Sequence, residues 1–121
     1  MDNAAATPVS VVAQKAVMET AKKFHGNPSA IHKEGKLARA SLDSARASVA
    51  ETLSARPDEI VFTSGATEAN NMAILGVVRG ARARGIARPH IVVSAIEHPS
   101  VLEVVRNLLN VKVDYLPVDS R

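Results

Sequence analysis

Apolar positions along the chain alternate between helical and strand spacing, and this alternation predicts an α/β fold. Helical spacing predicts helices over about residues 9–24, 30–55 and 66–84, and a fourth from Pro99. Short apolar runs predict strands at residues 60–63, 91–95 and 111–116. Because strands and helices take turns, the pattern favours a mostly parallel sheet with flanking helices.

The sequence also predicts two residues at helix starts and the side chains that face inward. Pro8 is expected in the first turn of the first helix, where its missing N–H costs nothing. Gly35 is expected to weaken the start of the second helix. The predicted buried sets are Leu42, Ala45, Val49 and Leu53 in the second helix, Met72, Leu75 and Val78 in the third, and Val101, Leu102, Val105 and Leu108 in the fourth.

The composition limits the number of domains and the kind of core that the chain can form. A chain of 121 residues fits one domain. It contains 2 phenylalanines, 1 tyrosine and no tryptophan, so its core must be built from aliphatic side chains. We expect an exposed apolar face that a longer chain or a second subunit would cover.

Charge and cysteine content exclude some classes of protein. The chain has no cysteine, which rules out disulfides and argues against a structural zinc site, so no metal site is predicted. No apolar stretch reaches the roughly 20 residues that span a bilayer, and the polar start at Met1 is unlike a secretory signal. The default expectation is a cytoplasmic protein without membrane contact.

A cluster of arginines (Arg79, Arg82, Arg84 and Arg88) supplies much of the net charge of +3. Such a run can contact nucleic acid. A solvated helix end is favoured instead, because cations are stabilised there and no aromatic residues accompany the run for base stacking.

The segment Thr63-Ser64-Gly65-Ala66-Thr67-Glu68 joins a predicted strand to a predicted helix. The first N–H groups of a helix have no intrahelical partner and can bind a phosphate. Gly65 lets the backbone approach, and the Thr67 hydroxyl adds a donor. The alternative is an ordinary helix start, with Ser64 or Thr67 as the cap and Glu68 near the positive helix end.

His98, in Glu97-His98-Pro99, is placed between a predicted strand and a predicted helix. There an imidazole can stack on a flat ring or transfer protons near neutral pH. A histidine at a helix start with no chemical task is the alternative. His25 and His32 flank the loop at residues 26–29, where they line a site or are solvated, and His90 is read as structural.

Four segments in order carry a resemblance to a known family: residues 2–8, residues 26–29 followed by His32, Phe62-Thr63-Ser64-Gly65-Ala66-Thr67-Glu68-Ala69-Asn70-Asn71, and Ser94-Ala95-Ile96-Glu97-His98-Pro99-Ser100-Val101. Residues 115–119 match as well. Together they resemble class V aminotransferase-fold enzymes, in particular cysteine desulfurases of the NifS/IscS type.

The resemblance implies a fold-type-I large domain and pyridoxal phosphate as cofactor. By resemblance, Ala66 and Thr67 hold the phosphate, and His98 stacks on the pyridine ring and assists proton transfer. The family converts L-cysteine to L-alanine and passes the sulfur through a protein persulfide to an acceptor protein, for iron–sulfur cluster assembly or tRNA thio-modification. Its members are usually homodimers.

The departures from the family are as specific as the matches. By resemblance, the cofactor lysine, the aspartate facing the pyridine nitrogen and the catalytic cysteine all belong beyond Arg121. Lys33 and Lys36 lie in the wrong motif to replace that lysine, and Ala6 stands where the family has threonine. Residues 1–121 are therefore expected to be the N-terminal part of a pyridoxal-phosphate-binding domain, inactive alone and without a catalytic nucleophile.

Two other interpretations stay open at this stage. The chain can be one half of a split enzyme, which requires a complementary desulfurase chain. It can instead be a non-catalytic module that binds a partner such as a desulfurase subunit. A nucleic-acid binder that uses Arg79 to Arg88 is disfavoured.

Overall fold

The computed structural model describes residues 6–119, so residues 2–5 of the predicted opening motif at residues 2–8 lie outside the described part. Within 6–119 the elements are α1 (Val11–Lys23), α2 (Lys33–Thr52), a 3-10 turn (Pro57–Glu59), α3 (Ala66–Ala83), β1 (His90–Ser94), α4 (Pro99–Arg106) and β2 (Lys112–Leu116). The chain divides into two compact units, the first ending at Val61 and the second beginning at Phe62.

Helix α1 begins after Ser10, whose hydroxyl oxygen accepts the Ala13 N–H at 3.2 Å. Pro8 precedes this cap, so the prediction that it lies in the first helical turn is wrong. No residue of α1 is buried, and Val11 and Val12 are each 80% exposed. The Ser10 cap and the backbone hydrogen bonds therefore define α1 more than side-chain packing does.

Helix α2 begins against the loop that precedes it. A Cβ added to Gly26 would lie 2.4 Å from the Glu34 carbonyl oxygen, and one added to Gly35 would lie 2.4 Å from the Ala30 carbonyl oxygen. Both glycines are thus needed for a close backbone approach. The prediction that Gly35 merely weakens the helix missed this packing role, because the loop contact is not visible in helix propensity.

The buried face of α2 differs from the predicted stripe. Gly35, Ala38 and Ala50 are its buried residues, whereas Leu53 is 65% exposed. Small side chains are buried because the loop and the 3-10 turn pack closely on this helix. The Arg46 guanidinium also donates to the Ile60 carbonyl oxygen, which ties α2 to the end of the first unit.

The predicted buried strand at residues 60–63 is wrong. Ile60 has extended backbone angles (φ −93°, ψ 125°), but no residue of this segment joins a sheet, and Val61 is 60% exposed. β-branched and aromatic residues favour extended backbone, yet a strand exists only when a neighbour supplies its hydrogen bonds. Within residues 6–119 no neighbouring strand pairs with it.

The second unit contains a β-α-β arrangement. Strands β1 and β2 pair in parallel, with Val92 opposite Asp114, and α4 connects them. Helix α3 packs on α4. The buried apolar residues of this unit are Val78, Ala81, Val93 and Val105. The predicted α/β class, parallel pairing and aliphatic core are confirmed, although residues 6–119 form two strands rather than three.

Exposed apolar side chains are numerous, as the composition predicts. On the sheet, Val92 is 54% and Leu116 is 55% exposed, and on the α4–β2 loop Leu109 is 80% exposed. Between residues 6 and 119, no helix combines the length and the apolar character needed to cross a lipid bilayer.

The arginine run lies where α3 ends. Arg82 is in the last turn of α3, and its guanidinium donates to the carbonyl oxygens of Leu109 and, at 3.3 Å, of Asn110. Arg82 therefore binds backbone oxygens of the α4–β2 loop. This contact fits the favoured interpretation of the run as a helix end.

Candidate functional site

Helix α3 begins without a side-chain cap. Gly65 is its N-cap residue, and the first helical hydrogen bond runs from the Ala69 N–H to the Gly65 carbonyl oxygen at 3.1 Å. The N–H groups of Ala66, Thr67 and Glu68 precede that bond, so the helix itself does not satisfy them. The alternative prediction that Ser64 or Thr67 caps this helix is wrong.

The donors of Ser64 are already engaged. One carboxylate oxygen of Glu68 accepts from both the Ser64 N–H and the Ser64 hydroxyl, each at 2.7 Å. These two hydrogen bonds, the backbone one first, hold the pKa of Glu68 below the ordinary value of a glutamate. Residues 66 and 67, rather than Ser64, therefore offer the donors at this helix start.

Gly65 leaves open space in front of these donors. Its backbone is extended (φ 165°, ψ −177°), which any residue can adopt. A Cβ placed on it would meet no atom within 4 Å. The protein's own packing thus does not require glycine here, and the missing side chain instead leaves the approach to the helix start unobstructed.

His98 lies between β1 and α4 and is the N-cap residue of α4. Its Nδ1 accepts the Ser100 N–H at 3.0 Å and lies 2.8 Å from the Ser100 hydroxyl oxygen. The prediction that His98 follows a strand and precedes a helix is confirmed. Its ring is held by α4, while Nε2 makes no hydrogen bond with residues 6–119.

Thr67 and His98 line the same cavity, which measures about 610 Å³. Its other lining residues come from α3 and α4: Asn71, Leu75, Pro99, Ser100, Glu103, Val104, Asn107 and Leu108. The hydroxyl of Thr67 has no hydrogen-bond partner within the described part of the chain, and the Thr67 carbonyl accepts from Asn71 at 2.8 Å. The side chain of Ala66 does not line the cavity. Ala66 contributes its backbone N–H, at the start of α3.

The other histidines have local roles. His32 is the N-cap residue of α2, and His90 in β1 lies 2.8 Å from the Asp114 carboxylate on β2. The His90 contact and then Lys112 lower the pKa of Asp114. His25 is exposed in the loop before α2. Residues 6–119 contain no group of three or more metal-binding side chains, and no metal site is assigned.

Two polar residues at the site were not predicted to have a role there. Asn70 donates to the Ser100 hydroxyl at 2.9 Å, and Ser100 is only 9% exposed. Both lie inside the predicted motifs, but their contact joins positions 30 apart in the chain. The sequence signal that could have indicated a role at the site was the spacing of one helical turn from Thr67 to Asn70 or Asn71. Residues three or four positions apart lie on the same face of a helix.

Comparison with known proteins places these motifs in one family. Residues 1–121 match the aminotransferase class-V family. A cysteine desulfurase IscS from Dictyoglomus turgidum is 42% identical over 121 residues, which cover 98% of this chain and 30% of that protein.

Two solved structures have a similar fold. One is described as a NifS-like protein, with a TM-score of 0.81, 34% identity, and coverage of 98% of this chain and 32% of that one. The other is SspA in complex with cysteine, with a TM-score of 0.81, 38% identity, and coverage of 95% and 33%. The chain thus spans about a third of the length of the proteins it matches. With the family match extending over residues 1–121, this chain belongs to the aminotransferase class-V family.

Proposed function

We propose that this chain is the N-terminal part of a pyridoxal-phosphate-dependent cysteine desulfurase, and that residues 1–121 form part of its cofactor-binding domain. The observation that carries the proposal is that Thr67 and His98 line one cavity. They belong to motifs about 30 residues apart in the sequence, and each motif alone has an ordinary structural explanation. Their convergence, together with the family match, favours a shared ligand.

The helix start suits the phosphate group of this cofactor. The N–H groups of Ala66 and Thr67 precede the first helical hydrogen bond, and the Thr67 hydroxyl is available beside them. The positive end of the helix dipole adds to the attraction for an anion. The open space at Gly65 lets a phosphate reach these donors.

The side of the cavity at His98 suits a flat ring. The imidazole is held by its Nδ1 contact with the start of α4, and His98 lines the cavity. An aromatic ring in such a position can stack on a flat ligand. Leu75, Val104 and Leu108 are the aliphatic residues that line the same cavity. A mostly apolar cavity with a few fixed polar groups is the usual form of a small-molecule site.

When bound, pyridoxal phosphate supplies the electron sink for bond breaking in an amino-acid substrate. In this proposal Ala66 and Thr67 bind the phosphate and orient the ring. His98 covers one face of the ring and holds a proton at Nε2, where it can hydrogen-bond a reacting group.

L-cysteine is the proposed substrate, and its sulfur would pass to an acceptor protein. The similarity to a cysteine desulfurase and to a structure in complex with cysteine supports this choice. No cysteine is present among the 121 residues, so a persulfide on the enzyme must form elsewhere in the polypeptide or its assembly. Homodimerisation and a cytoplasmic location stay predictions.

Replacement of Thr67 by valine tests the phosphate site. Valine keeps the shape of threonine but removes the hydroxyl, so the affinity for pyridoxal phosphate should fall about tenfold or more, as for a lost hydrogen bond to a charged group. Affinity would be measured by titration of the complete natural polypeptide that contains this chain. Thr52→Val is the matched control, because the Thr52 hydroxyl donates to the Ser48 carbonyl oxygen within α2. Equal affinity in Thr67→Val and wild type would refute the phosphate assignment.

Residues 1–121 alone should not release sulfide from L-cysteine in the presence of pyridoxal phosphate, because they contain no thiol and no lysine in the family's cofactor motif. The background to subtract is the reaction of free pyridoxal phosphate with cysteine. Sulfide release clearly above that background would contradict the proposed division of the catalytic groups.

A further inference from the structure

A chain of hydrogen bonds runs from α3 to the His98 ring. The Asn70 side-chain amide donates to the Ser100 hydroxyl oxygen at 2.9 Å, and this hydroxyl lies 2.8 Å from His98 Nδ1. The Ser100 N–H donates to the same Nδ1 at 3.0 Å. Ser100 is 9% exposed, and its hydroxyl has two partners within the protein, Asn70 and His98.

The Ser100 backbone N–H decides the direction of these hydrogen bonds. A backbone N–H can only donate, so Nδ1 must accept from Ser100 and cannot carry a proton while it does. The Ser100 hydroxyl, beside the same lone pair, must then donate its hydrogen toward Nδ1. Its oxygen is left to accept, and the Asn70 amide meets that requirement.

We propose that Asn70 and Ser100 are positioning residues that hold the His98 imidazole as the neutral tautomer with its proton on Nε2. The ring then offers an N–H donor to the ligand in the cavity, and the ligand group facing it must be a hydrogen-bond acceptor. The identity of that ligand as a pyridoxal-phosphate–substrate complex rests on the proposed function. The tautomer itself follows from contacts within the protein.

Asn70 adds a mechanical link between the two halves of the site. It lies one turn after Thr67 on α3 and reaches Ser100 at the start of α4. Because the orientation of a neutral imidazole depends on what its second nitrogen contacts, this link sets His98 relative to Thr67. A loss of Asn70 should therefore loosen the ring without removing any group that touches the phosphate.

The tautomer can be read directly. Long-range ¹H–¹⁵N NMR of the complete natural polypeptide, without cofactor and at a pH where histidine is neutral, would separate the protonated from the unprotonated ring nitrogen. His98→Gln assigns the signal. We expect His98 Nδ1 to be unprotonated and Nε2 protonated, in a single dominant form. A proton on Nδ1, or an even mixture of the two tautomers, would overturn the inference.

Variants test the roles of the two positioning residues. Asn70→Ala and Ser100→Ala should shift the His98 nitrogen signals toward a tautomer mixture. Asn71→Ala is the matched control for this signature, because Asn71 donates to the Thr67 carbonyl instead. Ser100→Thr keeps the hydroxyl and should restore the wild-type signals. Unchanged His98 signals in both alanine variants would remove Asn70 and Ser100 from this role.

Kinetics of the cofactor-loaded protein separate this inference from the proposed function. Asn70→Ala should lower kcat about threefold to tenfold, the equivalent of one hydrogen bond, with little change in KM or cofactor affinity. Thr67→Val should instead weaken cofactor binding. If the polypeptide binds no pyridoxal phosphate, the proposed function fails while the NMR result stands. If Asn70→Ala lowers only cofactor affinity, the positioning role is wrong.

Discussion

Helices α2 and α4 both begin at a histidine, but the two rings have different neighbours. At α2, His32 Nδ1 lies 3.3 Å from the Gly35 nitrogen and 3.1 Å from a Glu34 carboxylate oxygen. At α4, His98 Nδ1 lies beside the N–H and the hydroxyl of Ser100. His32 Nδ1 thus faces one donor and one acceptor, whereas His98 Nδ1 faces two groups that can donate.

This difference shows that the neighbour, not the histidine, decides what a capping imidazole can do. The Glu34 carboxylate only accepts, so Nδ1 of His32 must carry a proton to bond it and must then give up the Gly35 N–H. His98 has no such conflict, and it lines a cavity. The same residue type in the same helical position therefore serves local structure in α2 and a proposed site in α4.

Glutamine substitutions of the two histidines should give the largest contrast. His98→Gln should lower kcat of the cofactor-loaded polypeptide about 100-fold or more, because glutamine neither stacks as an imidazole nor transfers protons. His32→Gln should act mainly on stability, at a cost of about 1 kcal/mol for a weakened cap. Steady-state kinetics and urea unfolding measure the two effects. A larger rate loss in His32→Gln than in His98→Gln would reverse the comparison.

Two helical glycines should respond in opposite directions to alanine. Gly35→Ala places a Cβ against the Ala30 carbonyl and should lower the free energy of unfolding by about 1–3 kcal/mol. Gly76→Ala in α3 meets no atom within 4 Å and should raise it by about 0.5–1 kcal/mol through helix propensity. Urea unfolding of each variant measures both. Stabilisation by Gly35→Ala would show that the loop does not pack closely on α2.

The smallest expected effect is on the pKa values of two glutamates near helix starts, Glu34 and Glu68. The pKa of Glu34 is lowered first by its backbone N–H and less by His32, whereas Ser64 lowers the pKa of Glu68. A lowered pKa in the folded state stabilises the protein above the ordinary glutamate pKa, and that contribution is lost as the pH falls through the folded value.

Replacement of His32 by alanine should therefore raise the pKa of Glu34 only part of the way to its ordinary value and leave Glu68 unchanged. Carboxyl NMR titration in acid measures both groups. Full return of Glu34 to the ordinary value would assign the whole effect to His32 and contradict the backbone contribution.

The local parts of the site could be predicted from the sequence. The start of α3 after Gly65 and the position of His98 before α4 follow from turn and helix-start residues. The Asn70–Ser100 contact could not be predicted, because it depends on how α3 packs on α4. For the same reason the strand predicted at residues 60–63 failed: its residues favour extended backbone, but pairing needs a neighbour from elsewhere in the chain.

By itself the sequence determined the α/β class, the four helices, the two strands that pair, and the two motifs with Thr67 and His98. These depend on short-range periodicity and on residues that start or end helices. Only the tertiary structure decided that Thr67 and His98 share a cavity and that Asn70 on α3 contacts Ser100 at the start of α4. Those relations join atoms distant in the chain, and packing, rather than local preference, brings them together.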